Sequence, residues 1–202
     1  GVVMGVVKLS TAGILDYSKT SNFLSGNAPV SFGAFDLLET QTLASSASSV
    51  TFTGLDSYSD YKHLQLRIML SSSSTAADTV LEMRVNGDFG NNYSWHSIRG
   101  NGTSVTSETA LSYPSDYMMV LRGSRTSDVY SAAVVDIMDF ASLSKNKTIK
   151  SLTAGRGAGL TYIQLQSGLW IDTSPITSIN LDPANPSYIF GTGSRFSLYG
   201  VK

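Results

Sequence analysis

Cysteine is absent from this chain. That excludes a disulfide framework, thiolate zinc sites and a cysteine nucleophile. Charge is also scarce: Asp, Glu, Lys and Arg make up 14% of the residues, against roughly 25% in an ordinary soluble domain. Serine, threonine, asparagine and glycine must wet the surface instead, as in extracellular β proteins and in virion proteins that touch many neighbours. The charge that exists is balanced, with a formal net charge of −1 and a pI of about 6.1. A nucleic-acid partner is therefore not expected, because such a protein needs a basic stripe to displace counterions. Arg122, Arg125 and Arg156 stand singly in turn-like sequence and read as solvated loop charges. No apolar run approaches the roughly 18 residues that span a bilayer, so membrane insertion is not expected. Residues 1–7 are apolar but short, with no basic residue before them, unlike a secretory leader. The expected route to the outside is lysis or assembly.

What is present is a succession of short β patterns. Residues 1–35 differ from the rest. Leu9, Ile14, Leu15, Tyr17, Phe23 and Phe32 lie scattered among Ser, Gly and Asn without a helical or strand period. This segment is expected to be an extended arm that attaches to something else. A first strand followed by surface loop is the plainer alternative. From residue 36 to 202, strand and turn signals recur. Leu64, Leu66, Ile68 and Leu70 alternate with His63, Gln65, Arg67 and Met69, the pattern of a half-buried strand. Leu81, Met83 and Val85 alternate with Glu82 and Arg84, and Asn86-Gly87 then marks a turn. Tyr93 to Ile98 forms an aromatic strand. Residues 129–138 are apolar enough to be buried on both faces. In 161–166, Ile163 and Leu165 alternate with Gln164 and Gln166. Roughly ten strands are expected, with no amphipathic helix, no fixed repeat and no heptad run. The fold class is all-β: a jelly-roll-like antiparallel β-sandwich over 36–202, carrying an N-terminal arm over 1–35.

Catalytic constellations are hard to assemble. The chain has two histidines. His63 lies on a polar strand face without a partner, and His96 follows Trp95 in the aromatic strand. No Gly-x-Ser-x-Gly elbow occurs. Asp136 and Asp139 are three apart, which puts them on opposite faces of an extended strand, not in an acid/base pair. The oxygen-rich stretch 86–92 lacks the EF-hand order and its closing glutamate, and is expected to be an Asx-type turn. The glycine clusters at 155–159 and 191–193 do not open a helix, so no phosphate site is expected. No metal and no cofactor is implied, and an enzyme, for example a depolymerase, is the least favoured class.

Several strings occur together in order: Phe35-Asp-Leu-Leu-Glu-Thr, Ser48-Ser-Val-Thr-Phe-Thr-Gly, Tyr61-Lys-His-Leu-Gln-Leu-Arg, Arg84-Val-Asn-Gly-Asp, Asn92-Tyr-Ser-Trp-His, Ser167-Gly-Leu-Trp and Gly193-Ser-Arg-Phe-Ser-Leu-Tyr-Gly-Val-Lys. In this order they resemble virion structural proteins of tailed phages, especially those of marine and cyanobacterial hosts. The resemblance implies a non-enzymatic particle component, assembled in the host cytoplasm and displayed on the virion surface. A jelly-roll homotrimer, like tumour-necrosis-factor heads, is the expectation by fold analogy. Two roles follow from it. A capsid decoration protein on the head would dock on the major capsid protein through Leu9, Ile14, Leu15, Tyr17, Phe23 and Phe32. A tail-fibre or receptor-binding tip would instead read host surface glycan, with Trp95, His96 and the loops near 87–92, 101–108 and 155–159 as contacts.

Overall fold

A computed structural model describes residues 34–72, 79–110, 115–123, 129–156 and 161–202. Twelve strands occur among them: β1 (Phe35–Thr42), β2 (Val50–Thr53), β3 (His63–Leu70), β4 (Thr79–Val85), β5 (Tyr93–Gly100), β6 (Val105–Thr109), β7 (Met118–Gly123), β8 (Ser131–Ile137), β9 (Lys147–Arg156), β10 (Thr161–Trp170), β11 (Ser178–Pro183) and β12 (Arg195–Val201). The one helical element among them is a 3₁₀ turn at Leu55–Tyr58. The strands form an eight-stranded sheet in the order β1-β12-β3-β8-β9-β10-β5-β6 and a four-stranded sheet in the order β2-β11-β4-β7. All pairings within them are antiparallel. The expected all-β, jelly-roll-like sandwich is therefore the fold, with its body over Phe35–Lys202.

The core lies between the two sheets. β3 contributes Leu64, Leu66, Ile68 and Leu70, all essentially sealed from solvent. β12 adds Phe196 and Leu198, and the small sheet adds Val50, Phe52, Leu81, Met83, Val85, Ile179 and Leu181. Period-two alternation explains these positions directly, since every second side chain of a strand points to one face. The Asn86-Gly87 turn forms as expected, with both residues at positive φ (54° and 64°) and Asp88 N donating to Val85 O at 2.9 Å. It does not join hairpin neighbours, because β4 and β5 belong to different sheets. Asn86 Oδ1 accepts from Thr177 N at 2.7 Å and Ser178 N at 3.2 Å, which ties the turn to the entry of β11.

Some expectations are corrected. Residues 129–138 are not buried on both faces: β8 alternates, with Ala132 and Val134 exposed. Burial on both faces is found instead in β7, where Met118, Met119, Val120 and Leu121 are all buried, and in β4, where Leu81 to Val85 are. The 101–108 loop is shorter than expected, because Val105–Thr109 pairs with β5 as β6. Likewise β9 runs through Gly155 and Arg156, which had the look of loop. Both segments join the sheet because their backbone groups pair with continuous neighbours, and ladder pairing outweighs the weak local preference of Gly and Ser against strand.

Candidate interaction surface

Register decides which side chains share a face. Across the outer side of the large sheet, Arg67, Val134, Leu152, Leu165, Ile98 and Ser107 are successive cross-strand partners. The next row, two residues along each strand, is Met69, Ala132, Ala154, Ile163, Gly100 and Val105. These two rows form a continuous apolar band from β3 to β6, and it faces solvent. Ile98 and Ile163 are each 58% exposed and Val105 74%. Fully burying a side chain of this size is worth about 1.5–3 kcal/mol, and the isolated chain forgoes much of that at each of these positions.

The inner side of the same strands is the reverse. Ser151 and Thr153 of β9, Gln164 and Gln166 of β10 and Ser97 of β5 all point between the sheets and are buried. Gln164 Nε2 donates to Ser97 Oγ at 2.9 Å. Ser151 Oγ donates to the carbonyl of Val120, at the irregular register of β7 against β4. Both side-chain polar atoms of Gln166, and Oε1 of Gln164, have no hydrogen-bond partner among the described residues. The alternation read from the sequence is present, with Ile163 and Leu165 on the outer side and the glutamines on the inner. Trp170 and Tyr162 share the inward face with the glutamines, and Gly168 there lies against Met118. A one-residue slip that turned the glutamines outward would expel the Trp170 ring, since slippage flips every side chain of a strand.

A third row runs beside the apolar band: Gln65, Asp136, Lys150, Ser167, His96 and Thr109. It is polar and interlinked at one end, with Gln65 Nε2 donating to Asp136 Oδ1 at 2.8 Å and Lys150 Nζ on Asp136 Oδ2 at 3.0 Å. Two depressions mark the face. One, of about 390 Å³, is lined by His96, Ile98, Ser107, Thr109, Leu165 and Ser167. The other, of about 440 Å³, lies near Leu37, Arg67, Val134, Arg195 and Tyr199. Arg67 stacks over Tyr199 at 4.4 Å and Phe35 at 5.3 Å, so its cation covers aromatic surface while Nε donates to Gln65.

The outer side of the small sheet has the opposite character. Arg84 reaches Glu82 at 2.9 Å, Asp182 at 3.1 Å and Asp116 at 3.2 Å, and lies within cation–π distance of Phe89 and Tyr117. Burial pushes the Glu82 and Asp182 carboxyls above their ordinary values, against the pull of Arg84. Asn180 donates to Asp182, and Thr51 donates to Asn180. This network escaped the sequence reading, which took Glu82 and Arg84 simply as a polar strand face. The spacing of the two charges on β4 was the available signal, but Asp116 and Asp182 come from distant chain.

The sequence-predicted site residues separate. His96 is exposed beside the first depression. Trp95 is not available as a contact: it is 5% exposed, on the opposite face of β5, against Tyr117. Adjacent strand residues cannot share a face, so the proposed pair is split. Leu9, Ile14, Leu15, Tyr17, Phe23 and Phe32 lie outside the described residues, as does most of 155–159. The 87–92 loop is occupied with its own structure. Asp88 accepts from Trp170 Nε1 at 2.7 Å, Gly90 N at 2.7 Å and Asn92 Nδ2 at 2.9 Å. Desolvation acts to raise its carboxyl, but these three bonds together hold it below the usual range. Tyr93 anchors the same corner from inside. Its hydroxyl accepts from Val85 N and donates toward Asp88 O, and burial pushes it up to about 12. His63 Nδ1 accepts from Asp139 N at 2.9 Å, a structural role. No group of three or more potential metal ligands occurs among the described residues.

No protein-family model matches the chain, and no curated protein matches it. Two solved structures resemble it weakly, both mutants of the alginate lyase Aly36B in complex with alginate oligosaccharides. The tetrasaccharide complex is 11% identical at a TM-score of 0.23, covering 76% of this chain and 79% of that one. The trisaccharide complex is 9% identical at 0.25, covering 88% and 92%. Likeness at this level carries no argument about chemistry.

Proposed function

We propose that this chain is a non-enzymatic structural component of a virus particle, a capsid decoration protein on the head surface. The observation that carries the reading is the exposed apolar band of Val134, Leu152, Leu165, Ile98, Ile163 and Val105. Its partners are other copies of itself, as a homotrimer by fold analogy, and neighbouring virion proteins such as the major capsid protein. Apolar surface of this extent on one sheet face suits a protein that works in an assembly. The ordered set of strings that resembles phage virion proteins supplies the particle. Attachment by the 1–35 arm remains part of the proposal.

A second reading, a tail-fibre or receptor-binding tip that reads host glycan, is favoured by one feature. His96, Ser167 and Thr109 border Ile98 and Leu165 in a single depression. A sugar ring needs that combination, with apolar surface under its C–H face and hydrogen-bonding groups at its rim.

Antibody labelling of intact particles, with copies counted per particle, separates these readings. Hundreds of copies over the head are expected for decoration. A few copies at the tail would transfer the proposal to receptor binding. Particles that carry none would overturn the virion role.

A further inference from the structure

We infer that the outer face of the eight-stranded sheet is buried against a second copy of this chain. The inference rests on the assembly reading of that face and names its partner. Three observations lead to it.

The first is the polarity of β9 and β10. Within one chain these strands are inside out, with Gln164, Gln166, Ser151 and Thr153 sealed between the sheets and Leu152, Ile163 and Leu165 in solvent. A strand normally alternates the other way when one face meets water. The arrangement becomes consistent when the outer side is itself a core.

The second is the contrast between the two outer faces. The small sheet carries a connected ionic and hydrogen-bonded network around Arg84, in which Arg84 and Glu82 are buried and paired within the chain. The large sheet carries the apolar band. The charges of the small sheet find their partners within the chain, whereas the apolar side chains of the band are left in solvent.

The third is size and charge. Eight strands at about 4.8 Å spacing and seven residues at about 3.3 Å rise give a face of about 34 by 23 Å. That is close to the roughly 800 Å² per partner of a standard stable interface. Within the band, β9, β10, β5 and β6 contribute Leu152, Ala154, Ile163, Leu165, Ile98, Gly100, Val105 and Ser107, none of them charged; the charges of this face lie outside that stretch, as Arg67 at the β3 end and the Asp136–Lys150 pair in the polar row. Two copies therefore do not repel across it, and its match is an equally apolar, uncharged surface. A second copy supplies one: the same face of two chains meets about a two-fold axis, which is a different contact from the homotrimer expected by fold analogy.

The test is sedimentation velocity on the full chain over a wide concentration range. The wild type is expected to run above the single-chain mass of 21.5 kDa. Ile163→Lys/Leu165→Lys should weaken association on the order of a hundredfold or more, because charges brought into an apolar contact lose their water. Thr51→Lys, on the other sheet, should leave the mass unchanged. Both substituted positions on β10 are more than half exposed, so the fold should persist, with thermal unfolding as the check. A second variant guards against a folding defect. The chain has no native cysteine, so Leu165→Cys should give an oxidised cross-linked species that Thr51→Cys does not. A wild type that stays monomeric overturns the inference. So does an oligomer untouched by the lysine pair, or an equal yield of cross-link from the two cysteine variants. Failure here with particles labelled would leave the virion role standing. An oligomer through this face with particles unlabelled would reject that role alone.

Discussion

Arg84 shows what a single side chain does in this fold. It is 7% exposed and sits among three carboxylates, two of which, Glu82 and Asp182, are raised by burial. Removing the cation leaves buried negative charges unmatched, a change that typically costs about 3–5 kcal/mol. Arg84→Ala should lower unfolding stability in urea by about 3 kcal/mol, the lower end, because Asp116 and Asp182 keep contact with solvent. The pH response has a definite sign. A carboxyl raised in the folded state binds its proton more tightly there than in the unfolded chain. Stability is then gained as pH falls through the raised folded values, and the gain is complete below the unfolded range near about 4. The variant should recover part of its loss as urea titrations move down through that window. The site residues were partly legible at this scale. The Asx turn at Asp88 follows from local sequence. The burial of Trp95 does not, because an aromatic beside a histidine reads the same whichever of the two faces inward.

At the scale of elements, β10 carries the main lesson. Alternation of Ile163, Gln164, Leu165 and Gln166 established a strand, and a strand is what formed. Which side faces the core was decided elsewhere. Trp170, Tyr162 and Gly168 lie on the glutamine side, and pairing with β9 and β5 locks that register. Gln166 therefore stays sealed without a side-chain partner among the described residues. Replacing it with a side chain of similar volume and no polar atoms should remove a desolvation cost. Gln166→Met is expected to stabilise the chain by about 1–3 kcal/mol, the usual cost of an unsatisfied buried group. Chemical denaturation measures it, and a destabilised variant would mean that the glutamine is better satisfied than its neighbours suggest. Another buried polar group behaves differently. Lys147 is sealed, and its Nζ donates to the carbonyls of Ser142, Lys145 and Thr173. Burial lowers its affinity for the proton, while those three acceptors solvate the charge. It fastens the β8–β9 connection to the segment after β10, and nothing in its local sequence distinguishes it from a surface lysine.

At the scale of the molecule, the buried cluster among the described residues runs over 50–198. Residues Phe35–Lys202 form a compact unit by themselves, and that unit holds the buried cluster of the described residues. A chain beginning at Phe35 is therefore expected to keep the β-type circular dichroism of the full chain and to unfold cooperatively. Under the decoration proposal it should also lose binding to particles. Loss of the fold would show that residues before Phe35 help hold the sandwich.

The sequence by itself determined the class and the outline: an all-β chain, short alternating strands, a turn at Asn86-Gly87, and a core led by the leucines of β3. Those properties are local, since period-two alternation and turn chemistry act over a few residues. Only the tertiary structure decided that β9 and β10 turn their apolar residues outward and that Trp95 points inward. It also decided that Arg84 meets Asp116 and Asp182, and that one outer face is ionic while the other is apolar. Each of these depends on register between strands far apart in the chain. Register is set by the sum of pairings over a whole sheet, not by any one strand's pattern.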